Sequence, residues 1–272
     1  MIILRDNICY GVDFRVYTRF CNQAVLHGEA KVTVSPFSVF GFLMSSANEN
    51  FGGFEMTKNV LIMAANGQIS QIVEQRILSE AQFSDVHLTL FLRNKSRLSQ
   101  LAKNKRVTLI EGSLDSAADI QAAVAGQDIV FVGVVDHTAD NHQTQYVVDA
   151  MKAAEVDRLI YTNVLGIYNE VPGEYGRWNQ ETIGSGLPSA LRSDEIMATS
   201  GLTYTTLRLP WLNDRGIKYE ITHKDEPYLG VSGSRNSIAD VVLRIIEDPT
   251  FLANDSVGIA DPDTQGEDRP VY

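Results

Sequence analysis

Asn59-Val-Leu-Ile-Met-Ala64-Ala-Asn-Gly67-Gln-Ile-Ser70 is the stretch that decides the fold of this chain. Its apolar run is short, continuous and without alternation, the pattern of a strand buried on both faces. Gly67 interrupts it, and Ile69, Ile72, Val73 and Ile77 then recur at helical spacing. The turn between them is a Gly-x-x-Gly-x-x-Gly pattern in which Ala64 and Ser70 hold the outer places and only Gly67 remains glycine. Small residues in such a turn let backbone approach a phosphate. The helix that follows presents free N–H groups and the positive end of its dipole to the anion.

The same grammar continues toward the C-terminus. Further strands are expected at 86–92, 107–110, 128–135, 158–163 and 203–209, with a last one at 257–260. Helices are expected at 116–124, where Ser116 and Asp119 read as a capping box, and at 140–154, 187–199 and 237–247, the last capped from Ser237. Residues 93–97 open a polar turn and helix, and 173–186, rich in glycine and holding Tyr175 and Trp178, read as a substrate-side loop or lid. Strand and helix alternating without a long linker imply an α/β fold: a Rossmann-type doubly wound parallel sheet with helices on both faces. Ligands of such sheets sit at the carboxyl ends of the strands, so the residues just after each strand are the ones to examine.

Composition narrows the functional classes. With 23 Lys and Arg against 34 Asp and Glu, the net charge is −11, a surface that repels nucleic acid. No apolar run approaches the roughly 18 residues needed to span a bilayer, and Arg5 and Asp6 break the order of a secretory signal. A cytoplasmic protein, monomeric or homodimeric, that acts on a small molecule is the expectation, with no nucleic-acid or membrane partner. Cys9 and Cys21 both precede Met56, so the domain that follows contains no thiol for a disulfide, a metal or a nucleophile. His137 and His142, with Asp136 and Asp140, do not make a ligand set for a metal. No Gly-x-Ser-x-Gly elbow and no phosphate loop ending in Gly-Lys-Ser/Thr occurs.

Residues 1–55 follow none of this grammar. Gly52-Gly53, spaced from Met56 by Phe54-Glu55, can be encoded by a ribosome-binding sequence. We read 1–55 as a translated leader from a misplaced start codon; the alternative is a disordered or surface-packed extension. The domain proper is 56–272, a Rossmann domain with a small C-terminal substrate region.

Ala65-Asn-Gly-Gln-Ile69 after the first strand resembles the Gly-Ala-Asn-Gly-Gln-Ile turn of the atypical short-chain dehydrogenase/reductases, the NmrA-like NAD(P)H-binding proteins. Further matches come in order: Leu92-Arg-Asn94, Gly112-Ser-Leu-Asp115, Ala125-Gly-Gln-Asp-Ile-Val130, Thr162-Asn-Val-Leu-Gly-Ile-Tyr168, the run from Ser200-Gly201 to Leu212, and Ser234-Arg-Asn-Ser-Ile-Ala-Asp240. They span 56–272 and leave 1–55 unmatched. The resemblance implies a nicotinamide cofactor bound by Ala64, Asn66, Gly67, Gln68 and Ile69 in the turn. It adds Arg93 at the end of the second strand, Ser113 and Leu114 beside the adenine, and Thr162 and Asn163 at the end of the fifth. Ser113 stands where the family usually has Asp.

Arg93, followed by Lys95 and Arg97 and with no acid between Thr89 and Leu101, suits the 2′-phosphate of NADP; NAD remains the alternative. The catalytic machinery departs from the family. No tyrosine from Tyr146 on is followed four residues later by lysine, and the family lysine before Ser200-Gly201 is replaced, with Ala190 or Leu191 near its place. Tyr168 and Thr162 are the candidate catalytic residues, with Tyr175 and Glu195 as further proton donors. Trp211 is expected to line the same cleft, and Arg208 to be structural. The expected activity is an NADP(H)-dependent oxidoreductase that reduces a small carbonyl, quinone or similar acceptor. The alternative is a non-catalytic NAD(P)-binding regulator or redox sensor.

Overall fold

A computed structural model describes residues 57–272; the readings made above for 1–55, including Cys9 and Cys21, lie outside the described residues. The main sheet has eight strands in the order β3-β2-β1-β4-β5-β6-β10-β8. β1 (Lys58–Met63), β2 (Val86–Leu92), β3 (Val107–Glu111), β4 (Ile129–Val132), β5 (Arg158–Val164), β6 (Thr203–Leu209) and β10 (Asp255–Ala260) run parallel. Only β8 (Glu220–Thr222), at the edge beside β10, is antiparallel. The order reverses direction between β1 and β4, and that switch point opens a crevice above the strand ends.

Burial on both faces explains why β1 and β4 read as continuous apolar runs. Val60, Ile62, Phe131, Ile160 and Leu207 point to one face, where α1 (Gln68–Ser79) and α6 (Arg235–Glu247) cover them. Leu61, Met63, Val130, Val132 and Tyr161 point to the other, under α2 (Ala117–Val124), α3 (His142–Ala153) and α5 (Leu187–Thr199). Among the described residues no helix is long and apolar enough to cross a membrane.

The structure corrects several local readings. Residues 173–186 are not an open loop: α4 (Gly173–Ile183) occupies most of them. Pro172 precedes the first helical residue, and Gly176 lets the helix close on Val171, whose carbonyl oxygen would lie 2.1 Å from an added Cβ. The fourth strand stops at Val132, and 133–141 form a loop. The last helix is capped by Ser234, which accepts from the Ser237 N–H, and so begins two residues earlier than expected. The capping box at Ser116 is half made. Ser116 accepts from the Asp119 N–H, while the Asp119 carboxylate takes the Ser113 N–H instead of reaching back. A pair of short strands, β7 (Trp211–Asn213) and β9 (Ser232–Ser234), forms a second parallel sheet beside the first.

Candidate functional site

The turn after β1 is built as its sequence implies. Ala64 adopts a left-handed backbone, φ 57°, at the place the family pattern gives to glycine. Gly67 is the N-cap of α1 and supplies no side-chain cap, and the first turn of the helix carries no acid. The N–H groups that open α1 are therefore left for an outside acceptor. A Cβ on Gly67 would lie 3.2 Å from the Ala64 carbonyl oxygen, so a side chain there would press on the turn. Ser70, fully buried, sits over the end of β4, where the absent side chain of Gly133 leaves room for its hydroxyl.

Above this turn lies a cleft of about 670 Å³. Ala64, Asn66 and Gly67 form its floor, while Phe91 to Asn94 and Arg97 line the side beyond β2. Gly112 to Asp115 line it beyond β3, and Gly133 to Val135, His137, Thr138 and Gln143 complete the wall beyond β4. Arg93, Asn94 and Arg97 are exposed, and neither guanidinium pairs with a carboxylate among the described residues. An uncapped helix N-terminus flanked by two free arginines is a donor set for a polyanion such as a dinucleotide phosphate.

The wall beyond β4 is fixed by polar contacts. Asp136, 1% exposed, accepts from the N–H and hydroxyl of Thr138 and from the N–H and hydroxyl of Thr144. Burial pushes its carboxyl up, but the hydrogen bonds from Thr138 and Thr144 outweigh that and hold it below the usual range. Asn141 joins the loop to α5 by donating to Ser189 and Ser193, and Ser189 donates to the Thr138 carbonyl. At the outer rim Asp115 accepts from Gln143 and His142, which lower its pKa. His142 also meets Asp140, and the two carboxylates raise the pKa of the imidazole, Asp140 more than Asp115.

Ala64, Asn66, Gly67, Arg93, Ser113 and Leu114 thus meet around one cleft. Other sequence candidates lie elsewhere. The Gln68 side chain is exposed and Ile69 is packed into the core, so each faces the cleft only through its place at the start of α1. Thr162 is 4% exposed, with its hydroxyl buried and unpartnered. Asn163 is fully buried; it donates to the Ala190 carbonyl and accepts from the Val164 N–H. Neither lines the cleft, and α5 holds Asn163 through the Ala190 carbonyl.

Tyr168 borders a separate shallow depression with Glu170 and Lys224. Its hydroxyl donates to Asp194, and burial, followed by that carboxylate, pushes its pKa up. Tyr175 is buried and donates to the Val231 carbonyl, and Glu195 is exposed on the outside of α5. Trp211 packs on Trp178, ring centres 5.0 Å apart, rather than lining the cleft. Arg208 is structural as expected, fully buried and paired with Glu170. The wall residues Gly133 to Thr138 were missed by the sequence reading because it carried β4 through to Val135. Applying the strand-end rule at Val132 would have found them.

Comparisons with known proteins agree with this fold. Residues 64–249 match the model of the NAD(P)H-binding family. A short-chain dehydrogenase/reductase from Veillonella parvula, solved in complex with NADP, is similar at 26% identity and a TM-score of 0.72, over 79% of this chain and 99% of that one. A Rossmann-fold NAD(P)-binding family protein from Shigella flexneri is similar at 33% identity and a TM-score of 0.64, again over 79% of this chain and 99% of the other. A search of curated proteins gives no match. With the family model covering most of the sheet and the whole of the cleft's strand ends, the chain belongs to the NAD(P)H-binding family.

Proposed function

We propose that the protein is an NADP(H)-dependent oxidoreductase that reduces a small carbonyl, quinone or similar acceptor. The observation that carries the cofactor choice is the pair of exposed, unpaired guanidinium groups of Arg93 and Arg97 on the cleft wall beyond β2. In this fold that wall meets the adenosine ribose, and a planar guanidinium suits a 2′-phosphate where an acid would favour a free hydroxyl. The start of α1 would take the pyrophosphate, with Ala64 and Gly67 keeping the backbone close. Bound NADPH supplies a hydride. The chain's own part is to hold the nucleotide, shield it behind the loop pinned by Asp136 and Asn141, and provide a proton.

A second reading, a non-catalytic NAD(P)-binding regulator or redox sensor, draws on the end of β5. Asn163 and Tyr168 are both engaged in internal hydrogen bonds, and Ala190 stands near the family lysine position. NADPH oxidation measured against menadione, a flavin and an aldehyde separates the two. Turnover supports the oxidoreductase. Tight NADPH binding with no turnover supports the regulator.

A further inference from the structure

We propose that His137 is the proton donor of the reduction, an inference that rests on the oxidoreductase reading above. Reducing a carbonyl takes a hydride at carbon and a proton at oxygen. The side chains that line the cleft and can carry a titratable proton are Arg93, Arg97, Asp115 and His137. Arginine keeps its proton at any working pH. Asp115 is held below its usual range by Gln143 and His142, so it is ionised and has no proton to give. Tyr168 lies outside the cleft with its hydroxyl committed to Asp194. His137 remains, and histidine is the residue type suited to proton transfer near neutral pH.

Its position fits the role. β1 lies between β2 and β4 in the sheet, so the start of α1 stands between the arginine wall and the loop that carries His137. A dinucleotide anchored by Arg93 and by α1 would extend its reactive half toward that loop. The backbone on either side of His137 is fixed, since Asp136 is buried and takes both the N–H and the hydroxyl of Thr138. The imidazole itself is exposed and makes no hydrogen bond with the described residues. It is a free group on a rigid support.

The step balances simply. The carbonyl π bond opens, a C–H bond forms with the hydride from NADPH, and an O–H bond forms with a proton handed over by the His137 ring nitrogen. The acceptor is reduced, NADPH becomes NADP⁺, and the exposed imidazole regains its proton from solvent. Arg93, Arg97 and Asp115 are the charged groups that share the cleft and set its field.

The test compares wild type with H137Q at saturating NADPH, using benzaldehyde and acetophenone as acceptors, since their reduction follows the step above. The expected result is a fall in kcat of about 100-fold with NADPH affinity unchanged. Equal kcat in the two proteins overturns the role, as does a loss confined to NADPH binding. No turnover by wild type on these carbonyls overturns the role, and none on menadione or a flavin either overturns the oxidoreductase reading with it. Carbethoxylation of His137, followed by peptide mass, gives a readout independent of turnover. NADPH is expected to slow it, and an unchanged rate removes the imidazole from the cleft.

Discussion

Ser70 and Gly133 occupy complementary space: a Cβ on Gly133 would lie 2.3 Å from the Ser70 hydroxyl oxygen. The serine in the third small position of the turn is accommodated because the residue that follows β4 has no side chain. Gly133→Ala is expected to cost about 1–3 kcal/mol by overpacking. Adding Ser70→Ala removes the clashing oxygen and should recover most of that loss. Urea unfolding of the two single variants and the double variant measures the coupling, and simple additivity would contradict the relationship.

Ala64 carries the complementary cost. Its φ of 57° is one that L-residues adopt with strain. Ala64→Gly should raise stability by about 1 kcal/mol in urea unfolding and leave NADPH affinity intact. Destabilisation by this change would mean that the methyl group does more than strain the turn.

Glu74 lies on the same helix, 2% exposed, with neither carboxylate oxygen partnered. Burial pushes its pKa from 4.5 up to about 8. Because the folded value is the higher one, the unfolded chain ionises first as pH rises. Stability therefore falls between about pH 4.5 and pH 8 on account of this group. Glu74→Gln should leave stability nearly unchanged at the acid end of that window and raise it by about 2–4 kcal/mol near pH 8. Urea unfolding across the window checks this; a gain independent of pH would contradict it.

These predictions depend on contacts of very different legibility. β6 at 203–209 and α5 at 187–199 emerge in the structure with the limits read from sequence, because Ser200-Gly201 and Pro210 punctuate them locally. The turn at Ala64 to Ser70 was legible for the same reason. α4 was not, since Pro172, Gly173, Gly176, Gly184 and Gly186 signal breaks. There the helix is fixed by long-range contacts, with Trp178 against Trp211 and the Tyr175 hydroxyl donating to the Val231 carbonyl. The three-residue strands β7, β8 and β9 are too short to carry a period. Tyr168 and Asn163 were assigned to the cleft because their strand-end position is right. What the sequence could not reveal is that Asp194 and the Ala190 carbonyl, both on α5, would claim their polar atoms.

Glu170 and Arg208 tie the segment after β5 to the sheet. Arg208 Nη1 lies 2.6 Å from Glu170 Oε1, with side chains 0% and 5% exposed, and the same carboxylate accepts from the Gly166 and Tyr168 N–H groups. Removing one partner strands a buried charge. Glu170→Ala should cost about 3–5 kcal/mol, with little dependence on salt. The exposed pair of Lys218 and Asp263 provides the contrast: Lys218→Ala should leave the urea midpoint nearly unchanged.

Calorimetric titration of one protein preparation with NADPH and with NADH, repeated on Arg93→Ala, tests the central claim most directly. The account predicts that wild type binds NADPH at least about tenfold more tightly than NADH, and that Arg93→Ala abolishes most of that preference while leaving NADH affinity in place. Equal or tighter binding of NADH by wild type, or a preference that survives the loss of Arg93, would contradict it.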